Sequence, residues 1–224
     1  GHLRTPPDAP ASIVNYSNFA LARTTRQIVT KLDDDHVAMR DQMRAIADQA
    51  RTAPSLDREA FCYSGINLAR DQNGHLGLPA EETMCGNGDH WFVRLSPENY
   101  FVKDKRFETF RHGILRRRFC GFAYWHLKYL KSGGGFANYE LGSNPHSRFA
   151  RKLERRLASR TIDLASAASA TRPAFIDRLL APFDDKRRLL SDRALRMREE
   201  FAGRQIEEVL TERTPDWQQW IGVD

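Results

Sequence analysis

Cysteine is scarce. The 224 residues contain three, Cys62, Cys85 and Cys120, widely spaced and without a Cys-x-x-Cys pair. This excludes a disulfide framework and a thiolate zinc site, and points to a reducing compartment. No run of about 18 consecutive apolar residues occurs and no apolar signal core stands near the N-terminus, so neither a membrane span nor an export leader is expected. A phosphate-binding glycine loop ending in Lys-Ser/Thr, an HExxH pair and a Gly-x-Ser-x-Gly elbow are also missing, which removes several common enzyme classes. With them goes any sequence indication of a cofactor or a metal. There is no internal repeat.

What is present is an ordinary globular composition, 41% hydrophobic and 29% charged, enough to fold. Residues 1–11, with three prolines, read as a disordered lead-in, and residues 12–224 as a single domain. The formal net charge of +6 is unevenly placed: fifteen Lys/Arg against four Asp/Glu between residues 103 and 160 make +11, leaving −5 for the rest. A basic middle calls for something acidic, such as nucleic acid, a phosphorylated ligand or an acidic protein. The alternative is a set of solvated faces whose long side chains cover apolar surface.

Apolar spacing predicts a helix from Tyr16 to Leu32. After the Asp33-Asp34-Asp35 interruption, where Asp34 or Asp35 can act as cap, a second helix should carry Val37, Met39, Met43, Ile46 and Ala50 until Pro54, the two forming a helical hairpin. Phe61 to Leu68 reads as a strand followed by a turn at Asp71 to Gly74, and His90-Trp91-Phe92-Val93-Arg94-Leu95 as the clearest strand. Ser96-Pro97-Glu98 resembles a helix start, so the basic segment behind it, with Phe107, Phe110, Ile114, Phe119, Phe122 and Leu130 along one side, is expected to be helical. A strand over Phe136 to Leu141 and a helix bearing Phe149, Leu153 and Leu157 follow. Helices interrupted at Pro173 and Pro182 complete the chain, with Trp217, Trp220 and Ile221 as a C-terminal plug. The expected fold class is therefore α+β, helix-dominated, with a small antiparallel sheet of three to four short strands flanked by an N-terminal helical hairpin and C-terminal helices.

One loop carries chemistry. Cys85-Gly86-Asn87-Gly88-Asp89-His90-Trp91 puts a thiol, a carboxylate and an imidazole at a strand entrance. It reads either as a Cys85–His90 nucleophile and base or as an Asn-Gly hairpin turn with a half-exposed His90. If the neighbouring strands pair, Tyr63, His75, Asp89, His90 and Arg94 converge as candidate catalytic residues. Arg116, Arg117, Arg118, Arg151 and Arg155 are the candidate anion contacts, and Trp125-His126 with Tyr124 and Tyr129 among lysines offer either base stacking or an aromatic stripe packed in the core.

The order Tyr63-Ser64-Gly65, then Gly88-Asp89-His90-Trp91-Phe92, then Phe136-Ala137-Asn138-Tyr139 before a basic helix resembles the phosphothreonine lyase effectors that bacteria inject into host cells. The resemblance covers the middle third to half of the chain. It implies a lysine base and a histidine acid, but His90 stands at the lysine position and Phe92 at the histidine position, so lyase activity is not expected. The Tyr-x-Gly strand also resembles effector ADP-ribosyltransferases, whose arginine is replaced here by Ser64. What both imply is a bacterial effector or toxin-like domain, delivered to host cytoplasm and acting on a host component, a protein or a phosphorylated ligand. The alternatives are a nucleic-acid-binding module built on residues 103–160 and a non-catalytic protein docking on an acidic partner.

Overall fold

The computed structural model describes residues 10–104, 107–111, 116–131, 146, 150, 151, 153–155 and 160–221. Helix α1 (Pro10–Arg23) leads into β1 (Ile28–Thr30), β2 (His36–Ala38) and α2 (Arg40–Thr52). Then come β3 (Glu59–Asn67), β4 (Ala69–Arg70), β5 (Leu76–Pro79), β6 (Met84–Cys85) and β7 (Trp91–Arg94). The basic segment forms β8 (Tyr100–Asp104), β9 (Phe107–Arg111) and β10 (Arg116–His126). After β11 (Thr161–Ile162) the chain is helical: α3 (Leu164–Ala170), α4 (Phe175–Leu180), α5 (Asp185–Phe201), α6 (Ile206–Arg213) and α7 (Trp217–Ile221).

The main sheet has six strands in the order β1-β7-β3-β10-β2, with β6 also on β3. Its centre is the parallel pair β3–β10, and its other pairings are antiparallel. The architecture is thus mixed α/β around a large mixed sheet, which overturns the helix-dominated reading with a small antiparallel sheet. Two physical reasons account for the difference. Strand β3 is buried at eight successive positions from Ala60 to Asn67 and β10 at five, from Gly121 to Trp125. A strand covered on both faces shows no alternation to read. In addition, the aromatic residues of the basic segment, placed on one side of a helix by their spacing, are strong strand formers, and pairing with β3 decides the matter.

The N-terminal helical hairpin does not form either. Helix α1 stops at Arg23, and β1 and β2 separate it from α2 and pair on opposite edges of the sheet, β1 with β7 and β2 with β10. Helix α1 instead packs on β8, where Asn18 donates from Nδ2 to the Phe101 carbonyl (2.9 Å) and accepts the Phe101 N–H (2.7 Å), closing an open strand edge.

Strand β3, the turn after it and β7 stand where the sequence put them, and Pro173 and Pro182 fall between helices. Helix α5 buries Leu189, Ala194, Met197 and Phe201 at helical spacing, and α3 lies against it with Ala167 and Ala168 buried, a close approach that small side chains permit. Of the expected C-terminal plug, Trp217 and Ile221 are buried but Trp220 is 61% exposed. Tyr124, Trp125 and Tyr129 are core, with Trp125 Nε1 donating to Thr214 Oγ1 (3.1 Å), so they are closed to nucleic-acid bases. No helix among the described residues is long and apolar enough to cross a membrane. The expected strand over Phe136 to Leu141, with Phe149 and Leu157, lies outside the described residues, while Ala150, Arg151 and residues 153–155 are helical.

Candidate functional site

Sheet register assembles the site. His36 on β2 stands opposite His126 on β10, and His126 stands opposite Asn67 on β3, so three adjacent strands carry a row of polar residues. Two positions back, Tyr124 stands opposite Gly65. His90, in the loop entering β7, is tied to the same strand because the Tyr63 N–H donates to its carbonyl (3.1 Å). The run Asp33-Asp34-Asp35 forms a turn closed by His36 N–H to the Asp33 carbonyl (3.3 Å) and stapled to β10 by Leu127 N–H to the Asp35 carbonyl (2.8 Å). The expected capping role of Asp34 or Asp35 is therefore not taken up. Met39 precedes α2 with no side-chain cap, and the acidic turn serves the cluster instead.

The result is a buried group of three imidazoles. Ring centroids lie 4.7 Å apart for His36–His90 and 5.1 Å for His36–His126, and His36 stacks on Tyr124 at 3.9 Å. His90 Nε2 is 3.3 Å from Asp33 Oδ2, and its Nδ1 is 3.3 Å from Asp89 Oδ1. His126 Nε2 is 3.4 Å from Asp35 Oδ1, and its Nδ1 is 2.6 Å from Asn67 Oδ1. His36 Nε2 faces both Asp33 and Asp35 at 3.9 Å. Lys31 bridges Asp33 and Glu108, and Lys131 reaches Asp35 (3.3 Å). Tyr63 Oη donates to the Lys31 carbonyl (2.9 Å) and accepts from Thr30 Oγ1 (2.6 Å), its ring 6.1 Å from His90.

These contacts push the titrating groups apart. Hydrogen bonding to His90 holds Asp33 far below the usual carboxylate range, and His126 does the same for Asp35. Burial alone would raise Asp89, yet His90 outweighs it and holds Asp89 at about 2. Burial and the neighbouring imidazoles lower His36 to about 4, while at His90 the two carboxylates overcome burial and raise it. The Tyr63 and Tyr124 phenols are pushed upward by burial and stay protonated.

No known family model, curated protein or solved structure matches this chain. What bears on its function is the geometry of the site.

Of the five residues expected to converge, Tyr63, Asp89 and His90 do. His75 lies in the β4–β5 hairpin, exposed and paired with Asp71 at 3.2 Å, and Arg94 ends β7 in an ion pair with Asp57 at 2.6 Å. Four strand residues span about 13 Å, which carries Arg94 away from His90. His90 is also not half-exposed as the turn reading had it, but 4% exposed. The expectation missed Asp33, Asp35, His36 and His126. Their signal was the Asp33-Asp34-Asp35-His36 run, read as a helix interruption, and His126, read as part of an aromatic stripe.

The expected anion contacts also divide. In a strand, successive residues face opposite ways, so Arg116, Arg117 and Arg118 cannot form one patch. Arg116 and Arg118 are exposed, Arg118 over the Phe61 ring and beside Glu59, and Arg151 and Arg155 are exposed on a helix. Arg117 instead lines a cleft of about 150 Å³ with Lys31, Asp89, Trp91, Glu108 and Phe110. Gly88, at φ +92°, edges this cleft, and a Cβ there would sit 3.0 Å from Arg117 Cδ.

The surroundings of Cys85 argue against a Cys85–His90 nucleophile. Burial pushes the Cys85 thiol up to about 12, and its Sγ donates to Tyr124 Oη (3.4 Å). The thiolate fraction is then about a thousandfold below that of a free cysteine. Iodoacetamide at pH 8 is expected to leave Cys85 unmodified in the folded chain and to alkylate it in urea, as read by peptide mass. Rapid native alkylation of Cys85 would overturn this assignment.

Proposed function

We propose that the chain is a hydrolytic enzyme in which water is activated at the His36–His90–His126 centre and the substrate is anionic. One observation carries the reading: three imidazoles whose side chains are 3 to 16% exposed meet three carboxylates, the groups being drawn from three separate stretches of chain. Burying three imidazoles beside carboxylates is costly for stability, and such clusters are characteristic of sites where chemistry is done. Asp33, whose side chain is 40% exposed, gives solvent a way in. The adjoining cleft offers Lys31 and Arg117 to an anion, with Trp91 and Phe110 stacked at 4.0 Å as an apolar wall.

The biological setting we propose is that of a bacterial effector acting on a host component, supported by the likeness of the Gly88–Phe92 run to injected effectors. The test uses p-nitrophenyl phosphate and p-nitrophenyl acetate as probes, together with growth of host cells expressing the chain. His90→Gln is expected to lower turnover roughly 100-fold or more, with an unchanged circular dichroism spectrum. Arg117→Ala is expected to raise KM for the phosphate ester with kcat retained. Full activity of a folded His90→Gln would sink the proposal.

A second reading is supported by the exposed Arg116, Arg118, Arg151 and Arg155: contact with nucleic acid or an acidic protein. It requires affinity that falls steeply with salt, and His90→Gln should not change that affinity.

A further inference from the structure

We infer that the cluster holds one divalent transition-metal ion, with His36 as the common nitrogen ligand and either Asp33 and His90 or Asp35 and His126 completing the set. The inference deepens the enzyme reading by naming the group that activates water. It rests on that reading for the ion's role and not for its binding.

Two sets of donor atoms define the place. In Asp33–His36–His90 and in Asp35–His36–His126, one ligand atom from each residue lies within 4.8 Å of the others. Ligands about 2.1 Å from an ion are themselves roughly 3 to 4 Å apart, and the nitrogen-to-carboxylate separations here run from 3.3 to 3.9 Å. Each of those contacts uses Nε2. His36 offers a single Nε2, so the two sets are alternative seats for one ion.

Hydrogen bonding outside the cluster makes the same case for His126. Asn67 Nδ2 donates to the Glu82 carbonyl (2.6 Å), which turns Asn67 Oδ1 towards His126 Nδ1. The Nδ1 proton is committed there, so an unprotonated Nε2 lone pair would face the Asp35 carboxylate at 3.4 Å. A metal ion or a proton on Nε2 would relieve that contact, and metal titration tells the two apart. At His90, whose side chain is 5% exposed, Nδ1 has no hydrogen-bond partner and sits 3.3 Å from Asp89. Metal on Nε2 would place the proton on Nδ1 and direct it at that carboxylate, the arrangement that orients ligating histidines.

The surroundings also carry excess negative charge. Asp33, Asp35 and Asp89 contact the imidazoles, and the ammonium groups in contact with them are those of Lys31 and Lys131. Mixed imidazole and carboxylate donors suit zinc, iron, cobalt or manganese better than calcium or magnesium. A bound ion would act as a Lewis acid that lowers the pKa of its water.

The experiment titrates the chelator-treated full chain with zinc chloride and cobalt chloride, by calorimetry and by the visible spectrum of bound cobalt. One ion per chain is expected, with a raised unfolding temperature. His36→Gln, which removes the ligand common to both sets, should weaken binding roughly 100-fold or more, and His75→Gln should leave it unchanged. A wild-type chain that takes up neither ion saturably overturns the inference, and that result needs no variant to fold. Binding lost only in a folded His75→Gln overturns it as well. Absence of binding alongside loss of hydrolysis in His90→Gln sinks the metal and leaves the enzyme. Saturable binding alongside a fully active His90→Gln upholds the metal and sinks the enzyme.

Discussion

Gly65→Ala is expected to destabilise the chain by about 3 kcal/mol or more, at the upper end of what overpacking a core costs. A Cβ at Gly65 would lie 2.2 Å from Tyr124 Cε2 and 2.5 Å from Cδ2. Neither partner can yield easily. Tyr124 is fully buried, its backbone is held opposite Gly65 in the parallel β3–β10 pair, and its ring is stacked on His36. The ring must leave its place, and His36 loses its support with it. Gly65 is thus a strand glycine retained for close approach of a neighbouring side chain. Gly74→Ala is the control: its φ is +85° but nothing lies within 4 Å of an added Cβ, so it should cost only about 1 kcal/mol. Urea unfolding measures both. A Gly65→Ala chain no less stable than Gly74→Ala would show that the β3–β10 register is wrong.

Glu200→Ala is expected to cost about 2 to 3 kcal/mol, somewhat below the usual range for breaking a buried ion pair because Glu200 keeps some solvent. Its Oε2 is 2.8 Å from Arg213 Nη1, and the Arg213 side chain is 8% exposed. The guanidinium lies over the Phe201 ring at 4.6 Å and close to Met39 sulfur, where water cannot replace the lost carboxylate. Glu212, 3.8 Å from Arg213 Nε, makes up part of the loss. In a domain of this size the drop in Tm should be roughly 5 to 10 °C. Glu208→Ala, which removes an exposed partner of Arg204, should cost well under 1 kcal/mol. Equal losses in the two variants would mean that Arg213 is not buried as described.

Local chemistry made some of the fold readable. Asn73-Gly74 announced a turn, Pro173 and Pro182 separated helices, and Trp91 to Arg94 showed its strand. The basic segment misled because Phe107, Phe110 and Phe119 fall near helical spacing by chance, while what holds β10 is its pairing with β3, 57 to 59 residues earlier in the chain. Of the site, Asp89 and His90 were legible because two glycines lead into them at a strand entrance. Asp33, Asp35, His36 and His126 were not, since each pair of neighbours looks like an ordinary turn or an aromatic stripe until β2 is laid beside β10.

By itself the sequence determined a foldable, basic chain with scarce thiols, and placed its positive charge between residues 103 and 160. It also marked the loop that carries His90, because turn and strand preferences act over a few residues. Tertiary structure alone decided that the basic segment is sheet and that three histidines meet three aspartates. The reason is that strand order and register are long-range properties: His36 and His126 come together through hydrogen bonds between strands 90 residues apart, a pairing that no local preference encodes.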